Sequence, residues 1–439
     1  MIHDIVARLE PVGFDTLSKP AQDKLLLCVL ANATVAVAGT SITTLPKPPV
    51  SPGGGGGPHV LFDGRRTADA GAAAFYNAAA MHARTQDDFH PIGNLHLATV
   101  ILPAAMAAAG GRAVPGRTLL DALAVGYAAA TGLSRQFSPR TTPRGLRSTC
   151  LYTPFGATAA VARVLGFSAA QTANALALTA SMVGGTTQCW LDGSDEYQLH
   201  TGLAASNALL ACELTQAGVV GGAHALDGRA GLFAAVVGWV PAFDEIAADF
   251  DADAAIVDTV LKRYPVSGIC QPVVLASERL RARLNAGDVR SFALRMRAFE
   301  LDYPGTANAG PFTSFSNRLM SARYCAASVL AHGAFDFDAF LGPVSPAVQA
   351  LVDGADVTGD EALPPLSCVL SVDGTGGRRW TEEVIDGGAQ LAITSATVDD
   401  WARPMWRAAG RGDAQYAAFR EAVQALPKAA DCRRLLEAL

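Results

Sequence analysis

The chain has 439 residues, half of them apolar, and a formal net charge of −6 at pH 7. This size and apolar content allow a large core, in one domain with an addition or in a few domains. The acidic balance argues against nucleic acid or an anionic membrane surface as the main partner.

The first residues and the longest apolar run are both typical of a soluble protein. Met1 to Asp4 lack the basic and apolar segments of a secretory signal. The apolar run at 25–40 contains Asn32 and Thr34, which predicts a buried core helix. We therefore expect a soluble, cytoplasmic protein.

The eight cysteines lie far apart and form no Cys-x-x-Cys pair, so neither a local zinc nor an iron–sulfur site is expected. Scattered cysteines in a cytosolic chain are mostly small buried apolar residues, and we expect no disulfides.

Helical periodicity dominates the chain up to about residue 240. A capping box from Ser168 to Gln171 opens one helix just after Gly166 closes another. The Pro- and Gly-rich segment 48–58 predicts a flexible loop. Apolar residues at i, i+3 and i+4 predict helices at 19–40, 68–83, 97–110, 117–133, 155–166, 169–183 and 199–218.

The pattern changes near residue 260, where alternating residues predict strands. The predicted strands are 292–299, 366–372 and 379–385, with a hairpin turn at 373–377, and helices are expected at 271–285, 312–332 and 344–353. The fold class is therefore mainly α: a large all-helical domain over 1–258, with 394–439 packing back onto it, and a smaller α/β domain over 259–393.

One short turn concentrates titratable groups between Ala-rich segments, Asp87-Asp88-Phe89-His90-Pro91-Ile92-Gly93-Asn94-Leu95-His96. Histidine transfers protons near neutral pH, and a neighbouring carboxylate orients it. A metal site built from these Asp and His residues is the alternative. No metal is predicted, because the spacing does not place two imidazoles on one helical face and nothing else completes a ligand set.

Four arginines fall between residues 135 and 147 and predict a cationic loop. Guanidinium groups bind carboxylates through two hydrogen bonds, so the loop suits an anionic substrate. The alternative, favoured for Arg135 and Arg140, is pairing with acidic helix surfaces. Arg144 and Arg147 are the substrate-binding candidates, and Arg147, nearest the next helix, is the stronger.

Two further clusters join charged and phenolic groups to a Gly or Pro break, where loops present side chains to ligands. The first spans 190–200 and contains Tyr197 and His200. The second spans 262–268 and contains Lys262 and Arg263.

The order of these clusters resembles the MmgE/PrpD family, which includes 2-methylcitrate dehydratases, cis-aconitate decarboxylases and iminodisuccinate epimerases. The resemblance covers most of the chain, and its specificity lies in the order of the pieces. The matching pieces are Phe75-Tyr76-Asn77 with His82, the Asp87-Asp88-x-His90 turn with His96, residues 120–127, Arg144-Gly145, Pro154-Phe155-Gly156-Ala157, Asp192-Gly193-Ser194, Leu199-His200-x-Gly202, Lys262-Arg263-Tyr264-Pro265 and Met320-Ser321.

The resemblance implies an all-helical domain with an α/β lid, a homodimer, and an active site between the domains that needs no metal or organic cofactor. It matches His96, Asp88 and Lys262 to family site residues and places Tyr303 near an active-site tyrosine. The chain departs from the family pattern at four positions: Arg147 replaces a histidine, Tyr197 a lysine, Ser267 a histidine or cysteine, and Leu97 a proline.

The expected activity is that of a lyase without a cofactor, a hydro-lyase by preference, acting on a small anionic di- or tricarboxylate. His96 would move the proton α to a carboxylate with help from Asp88. An isomerase of the iminodisuccinate epimerase type and a non-catalytic binding homologue stay open, and so does the identity of the acid. The other expected roles are Arg147 and Lys262 as carboxylate holders, Tyr197 or Tyr303 as opposite-face acid, and His90, Arg144, His200 and Arg263 as substrate contacts.

Overall fold

Helices dominate the computed structural model, which describes residues 1–49, 57–285 and 288–439. It is 58% helical with only 9% strand, so the predicted mainly α class is confirmed. Residues 50–56, most of the predicted flexible loop, lie outside the described residues.

The described chain forms helices in the following order: α1 Ile2–Leu9, α2 Lys19–Gly39, α3 Ala70–Ala83, α4 Ala98–Ala109, α5 Gly116–Thr141, α6 Ser148–Leu165, α7 Ala169–Thr179, α8 Gln188–Asp192, α9 Glu196–Gln216, α10 Leu232–Val237, α11 Phe243–Ile246, α12 Ala252–Val257, α13 Gln271–Arg281, α14 Ala298–Leu301, α15 Phe315–Met320, α16 Ala322–His332, α17 Phe337–Leu341, α18 Pro346–Asp353, α19 Gly387–Gln390, α20 Val398–Ala408, α21 Asp413–Ala425 and α22 Arg433–Glu437. The strands are β1 His59–Val60, β2 Arg66–Thr67, β3 Val289–Arg297, β4 Asp356–Asp360, β5 Cys368–Gly374 and β6 Arg379–Val384.

The chain divides into two compact units. The first contains Met1–Thr186, Gln198–Thr259 and Thr394–Leu439, and the second contains Thr187–Tyr197 and Val260–Ile393. The segment 187–197 thus belongs to the second unit, although its position in the sequence lies inside the helical region. All eight cysteines are buried free thiols, as their scattered positions predicted.

Helix α2 is the core helix of the first unit. Ser18 caps the helix, and its side chain accepts a hydrogen bond from the backbone N–H of Ala21. The side chains of Asn32 and Thr34 donate hydrogen bonds to backbone carbonyls one turn earlier in the helix. Among the described helices it is the one long and apolar enough to span a membrane, yet 78% of its apolar window is buried inside the fold. The prediction of a buried core helix is confirmed.

Two long helices of the first unit, α5 and α6, cross at a pair of glycines. A Cβ on Gly156 would stand 2.4 Å from the carbonyl oxygen of Gly126, and a Cβ on Gly126 would stand 2.9 Å from that of Gly156. Any side chain here would push the backbones apart. The close crossing fixes where the N-terminus of α6, and therefore Arg147, lies.

Two helices of the first unit are longer than predicted. Helix α5 runs to Thr141 and α6 begins at Ser148, so Arg135 and Arg140 lie on a helix and the predicted cationic loop is wrong there. A proline in the first residues of the predicted α6 suggested a break. Pro154 is tolerated inside α6 because the carbonyl of Cys150, four residues earlier, accepts from the N–H of Gly184 instead.

The second unit contains a four-stranded sheet in the order β4-β3-β5-β6. Strands β3 and β4 are parallel, and the other neighbours are antiparallel. The predicted hairpin is confirmed, because β5 pairs with β6 from Cys368–Val384 to Asp373–Arg379. Strand β4 was not predicted, since its sequence Asp-Val-Thr-Gly-Asp is poor in strand-forming residues.

Candidate active site

The loop between α3 and α4 carries the predicted Asp/His turn and lies within the first unit. Thr85 ends α3 in a left-handed conformation with φ 48°, and Asn94 does the same in the turn with φ 53°. A β-branched residue in this region costs on the order of 1–3 kcal/mol, and such strain persists where surrounding contacts determine the backbone. His90 and Leu95 close the turn through paired backbone hydrogen bonds.

Asp88 anchors this loop to three helices. Its carboxylate oxygens accept from the N–H of Ala98, the first residue of α4, at 3.0 and 3.2 Å, and from the hydroxyl of Tyr127 on α5 at 2.5 Å. Its backbone N–H donates to the Asn32 side chain on α2 at 2.8 Å. A carboxylate at a helix N-terminus is electrostatically favourable. The carboxylate of Asp88 therefore holds the loop, and its backbone oxygen lies 2.8 Å from Nδ1 of His96.

Replacing Asp88 by alanine should lower the free energy of unfolding by about 2–4 kcal/mol. The change leaves the Tyr127 hydroxyl and the Ala98 N–H without their acceptor in the interior, at about 1–3 kcal/mol each. Urea unfolding measures the loss. The matched control is Asp69→Ala, which removes an exposed carboxylate that caps α3 through Ala72 and should cost about 1 kcal/mol. Equal losses in the two variants would contradict the anchoring role of Asp88.

Asp87, the neighbouring aspartate, is the carboxylate that meets the imidazoles. One of its oxygens, Oδ2, lies 2.9 Å from Nδ1 of His82 and 3.2 Å from Nδ1 of His96. The two imidazole rings are 4.7 Å apart, edge to face. The side chains of His82 and Asp87 are fully buried, whereas that of His96 is 16% exposed. His96 is thus the member of this trio that reaches solvent.

The neighbouring groups fix which ring nitrogens carry hydrogen. Nδ1 of His96 lies 2.8 Å from the carbonyl oxygen of Asp88, and a carbonyl can only accept, so this nitrogen is the donor. Nε2 of His82 faces Nη2 of Arg147 at 2.5 Å, and a guanidinium can only donate. His82 therefore carries its hydrogen on Nδ1, and this N–H donates a hydrogen bond to the carboxylate of Asp87. In His96 the same tautomer leaves a lone pair on Nε2.

Arg147 joins this network from the start of α6. Its backbone N–H donates to the carbonyl of Gly185 at 3.0 Å, and its guanidinium also faces Nδ1 of His200 on α9 at 3.4 Å. Gly185 has φ 145°, and a Cβ there would lie 3.3 Å from the ring of His200. Arg147 itself is 2% exposed. Arg147 and His96 therefore converge in one unit, linked through His82 and Asp87.

Burial makes His82 and His200 poor bases. Burial lowers the pKa of His82 to about 3, with Asp87 opposing the shift and the Arg147 cation adding to it. Burial and the same cation lower the pKa of His200 to about 4. Both imidazoles are neutral at pH 7, which agrees with their position as acceptors for the Arg147 guanidinium.

His90, predicted to bind substrate, is buried in the turn itself. Its Nδ1 accepts from the N–H of Gly93 at 3.0 Å, and its Nε2 has no hydrogen-bond partner among the described residues. Burial, followed by the cation of Arg135, lowers the pKa of His90 to about 4. The ring shapes the turn, and its predicted substrate contact stays a prediction.

Stability should fall between pH 6.5 and about 4 because the fold holds His82 and His90 neutral. The unfolded chain binds protons near pH 6.5, whereas the folded histidines bind them only near pH 3 to 4. The stabilisation is complete above pH 6.5 and is lost as the pH falls, by up to about 1.4 kcal/mol per pH unit for each histidine. Urea unfolding at several pH values tests this. His90→Gln should flatten the profile, and an unchanged slope would contradict the assignment.

The remaining predicted arginines lie at the surface of the first unit. Arg135 forms ion pairs with Asp249 and Asp258, which confirms the alternative of acidic pairing for this residue. Arg140 lies 4.3 Å from the ring of Trp239. Arg144 is exposed and donates to the carbonyl of Val236. Within the cluster, Arg147 is the residue that reaches the imidazoles.

The other predicted site residues belong to the second unit. Tyr197 is buried with its ring 5.1 Å from that of Trp190, and Tyr303 packs against the apolar core. Lys262 is buried, which is rare for lysine. Arg263 is exposed, 6.0 Å from the ring of Tyr264. The catalytic and binding roles of these four residues stay predictions.

The cluster of His82, Asp87 and His96 has the residue types and proximity of a metal site, since one possible ligand atom from each lies within 4.8 Å of the others. The hydrogen-bond partners do not fit a site in which the two imidazoles bind the metal through Nδ1. A histidine nitrogen binds a metal through its lone pair, but Nδ1 of His96 faces a carbonyl oxygen and must carry hydrogen. The same holds for Nδ1 of His82, whose Nε2 faces the arginine. The arrangement is a hydrogen-bond network.

Sequence reasoning missed two members of this network. His82 matched the family pattern but was assigned no role, because a single histidine in an alanine-rich helix is typical of a core position. Asp87 was passed over in favour of its neighbour. The detectable signal was the spacing: His82 lies one residue from the end of α3, so a tight turn at Thr85 brings Asp87 back to it.

The fold and this site define a mainly helical protein that also contains a small α/β unit, with a buried Arg–His–Asp–His network in its first unit. Residues 4–242 match the MmgE/PrpD N-terminal domain, and the chain belongs to this family, as the order of its motifs predicted. A cis-aconitate decarboxylase-like protein, oryM, of Aspergillus oryzae is 27% identical over 308 residues. The match covers 64% of this chain and 63% of that protein, less than two thirds of its length.

Proposed function

We propose that the protein is a lyase without a cofactor that removes the proton α to a carboxylate of a small di- or tricarboxylate. The observation that carries the proposal is the Asp87–His96 pair. An oriented imidazole, with hydrogen on Nδ1 and a lone pair on Nε2, is the arrangement of a general base. His96 is also the member of the network exposed enough to meet a substrate.

The chemistry requires both a base and stabilisation of negative charge. A C–H bond beside a carboxylate is very weakly acidic, and its ionisation places a second negative charge on the carboxylate oxygens. Fixed cations and donors that meet this charge are usually the largest contribution to catalysis. The buried cation of Arg147 lies in the same network as the base. Lys262 is the second cation in the proposal, as a carboxylate holder.

In the proposed hydro-lyase reaction, Nε2 of His96 takes the α-proton and the C–H electrons form the new double bond. The β-hydroxyl then leaves as water, taking a proton from an acid for which Tyr197 and Tyr303 are the candidates. Family membership and the decarboxylase-like name of the Aspergillus relative support a lyase. A decarboxylating member of the class would instead break the C–C bond to a carboxylate and release carbon dioxide, and an acid would deliver a proton to the carbon left behind.

Incubation of the protein with a panel of di- and tricarboxylic acids in D2O, followed by proton NMR, tests the proposal. A lyase produces an alkene signal with release of water or of carbon dioxide, which separates the two lyase types. Deuterium uptake with inversion and without alkene would overturn the lyase in favour of an epimerase. Thermal stabilisation by an acid that undergoes neither reaction would indicate a binding homologue.

A further inference from the structure

Arg147 stands where the family pattern expects a histidine, yet the structure surrounds it with imidazoles. One terminal nitrogen faces Nε2 of His82 and the other faces Nδ1 of His200. The side chain is buried, and its backbone is fixed between the end of the Gly184–Gly185 segment and the first turn of α6. Arginine stays protonated at any pH at which the protein folds, so Arg147 is a permanent donor and does not transfer protons.

The orientation of that donor determines what His82 can do. An imidazole that accepts on Nε2 must donate from Nδ1, and the acceptor there is the Asp87 carboxylate at 2.9 Å. The same carboxylate oxygen lies 3.2 Å from Nδ1 of His96, whose hydrogen is donated to the carbonyl oxygen of Asp88. Because His82 stays neutral, the negative charge of Asp87 is not neutralised by a proton on His82. That charge is left to act on His96.

We infer that Arg147 is a positioning residue: it holds His82 as the neutral Nδ1–H tautomer, so that the Asp87 carboxylate accepts a hydrogen bond from His82 and keeps its negative charge beside Nδ1 of His96, which supports His96 as the base. A protonated His82 would form an ion pair with Asp87 and withdraw this support. The groups that act electrostatically on His82 are Asp87, Arg147 and His96. Burial is the largest influence that lowers the pKa of His82, and removing the Arg147 cation takes away a further one while Asp87 still opposes them, so the pKa of His82 should rise.

NMR of the histidine-labelled protein without substrate tests the tautomer directly. In the wild-type protein His82 should keep its hydrogen on Nδ1 and stay neutral from pH 8 to 5. In Arg147→Gln its titration should move up by about one to three pH units and enter this range. Arg147→Lys, which keeps the charge, should stay close to the wild type. Arg112→Gln removes an exposed arginine and is the matched control. An unchanged His82 in Arg147→Gln would overturn the inference.

Kinetics supply a second readout, and this arm alone rests on the proposed function. Turnover by Arg147→Gln, relative to the wild type, should fall further as the pH is lowered from 8 to 6, because His82 then takes up its proton. A rise in KM at every pH, with kcat and the His82 titration unchanged, would mean that Arg147 only binds substrate and would overturn the inference. If no acid is turned over but the NMR result holds, the proposed function fails and the positioning role stands.

Discussion

Replacing His96 by glutamine should lower turnover by about 10³–10⁴-fold, the largest catalytic loss expected of any single change in this protein. Removal of a general base typically costs about 10²–10⁴-fold, and glutamine cannot take up a proton at the position of Nε2. The amide of glutamine can still donate to the carbonyl of Asp88, so the loop keeps its anchor. Initial rates on the acid identified in the D2O panel measure the loss.

His224→Gln is the matched control for this change. His224 lies in the first unit with a side chain that is 79% exposed, and its partner is Asp227. This variant should retain full turnover. A His96→Gln protein that keeps more than a small part of the wild-type rate, with an unchanged melting temperature, would remove His96 from the role of base. If acid binding and stability were also unaffected, His96 would have no part in substrate binding either.

The sequence identifies the loop but does not predict which of its two aspartates contacts the imidazoles. Two adjacent aspartates in an irregular turn project in different directions, and only the backbone conformation determines which carboxylate meets which partner. The left-handed residues Thr85 and Asn94 set that conformation, and neither residue type requires it. Asp88 therefore turns to α4 and α5 while Asp87 turns to the imidazoles. Sequence spacing alone is the same for both.

The predicted helix boundaries are wrong where prolines occur inside helices. Pro139 and Pro154 lie inside α5 and α6, and both helices extend into the arginine-rich region that is predicted as a loop. The carbonyl released by Pro154 finds a donor in Gly184, more than thirty positions away in the sequence, and a local pattern cannot contain that information. The regular elements were predictable because their signals are local. The capping box of α7 and the β5–β6 hairpin are examples.

Arg147 illustrates both the loop conformation and the helix boundaries that the sequence does not predict. Its importance was predictable from the cluster of positive charge, but its partners were not. Its position depends on the crossing of α5 and α6 at Gly126 and Gly156 and on a backbone bond to Gly185, all of which are distant in sequence. The guanidinium of Arg147 contacts two neutral histidines, and its role as a carboxylate holder stays a prediction. The chemistry of the site therefore follows from the packing of three helices, with the loop supplying the base.

Replacing Asp87 by asparagine should lower kcat by about 10²–10³-fold and leave KM nearly unchanged. The carboxylate is fully buried, so it acts on the substrate only through His96. Loss of its charge weakens the basicity of His96 and destabilises the imidazolium formed when the α-proton is taken. The asparagine amide group can also donate to a ring nitrogen and select the wrong tautomer, which is the known effect of this substitution in Ser-His-Asp triads. The base itself remains, so the loss should be smaller than for His96→Gln.

The kcat and KM values of Asp87→Asn separate this role from the alternatives. Asp121→Asn is the matched control, because Asp121 is another carboxylate of the first unit that accepts a backbone N–H, that of Phe14, at 2.7 Å. It should leave turnover unchanged. A rise in KM with unchanged kcat in Asp87→Asn would place Asp87 in substrate binding. Unchanged values of both parameters would mean that His96 does not depend on the carboxylate, and the Asp87–His96 pair would cease to be the catalytic unit.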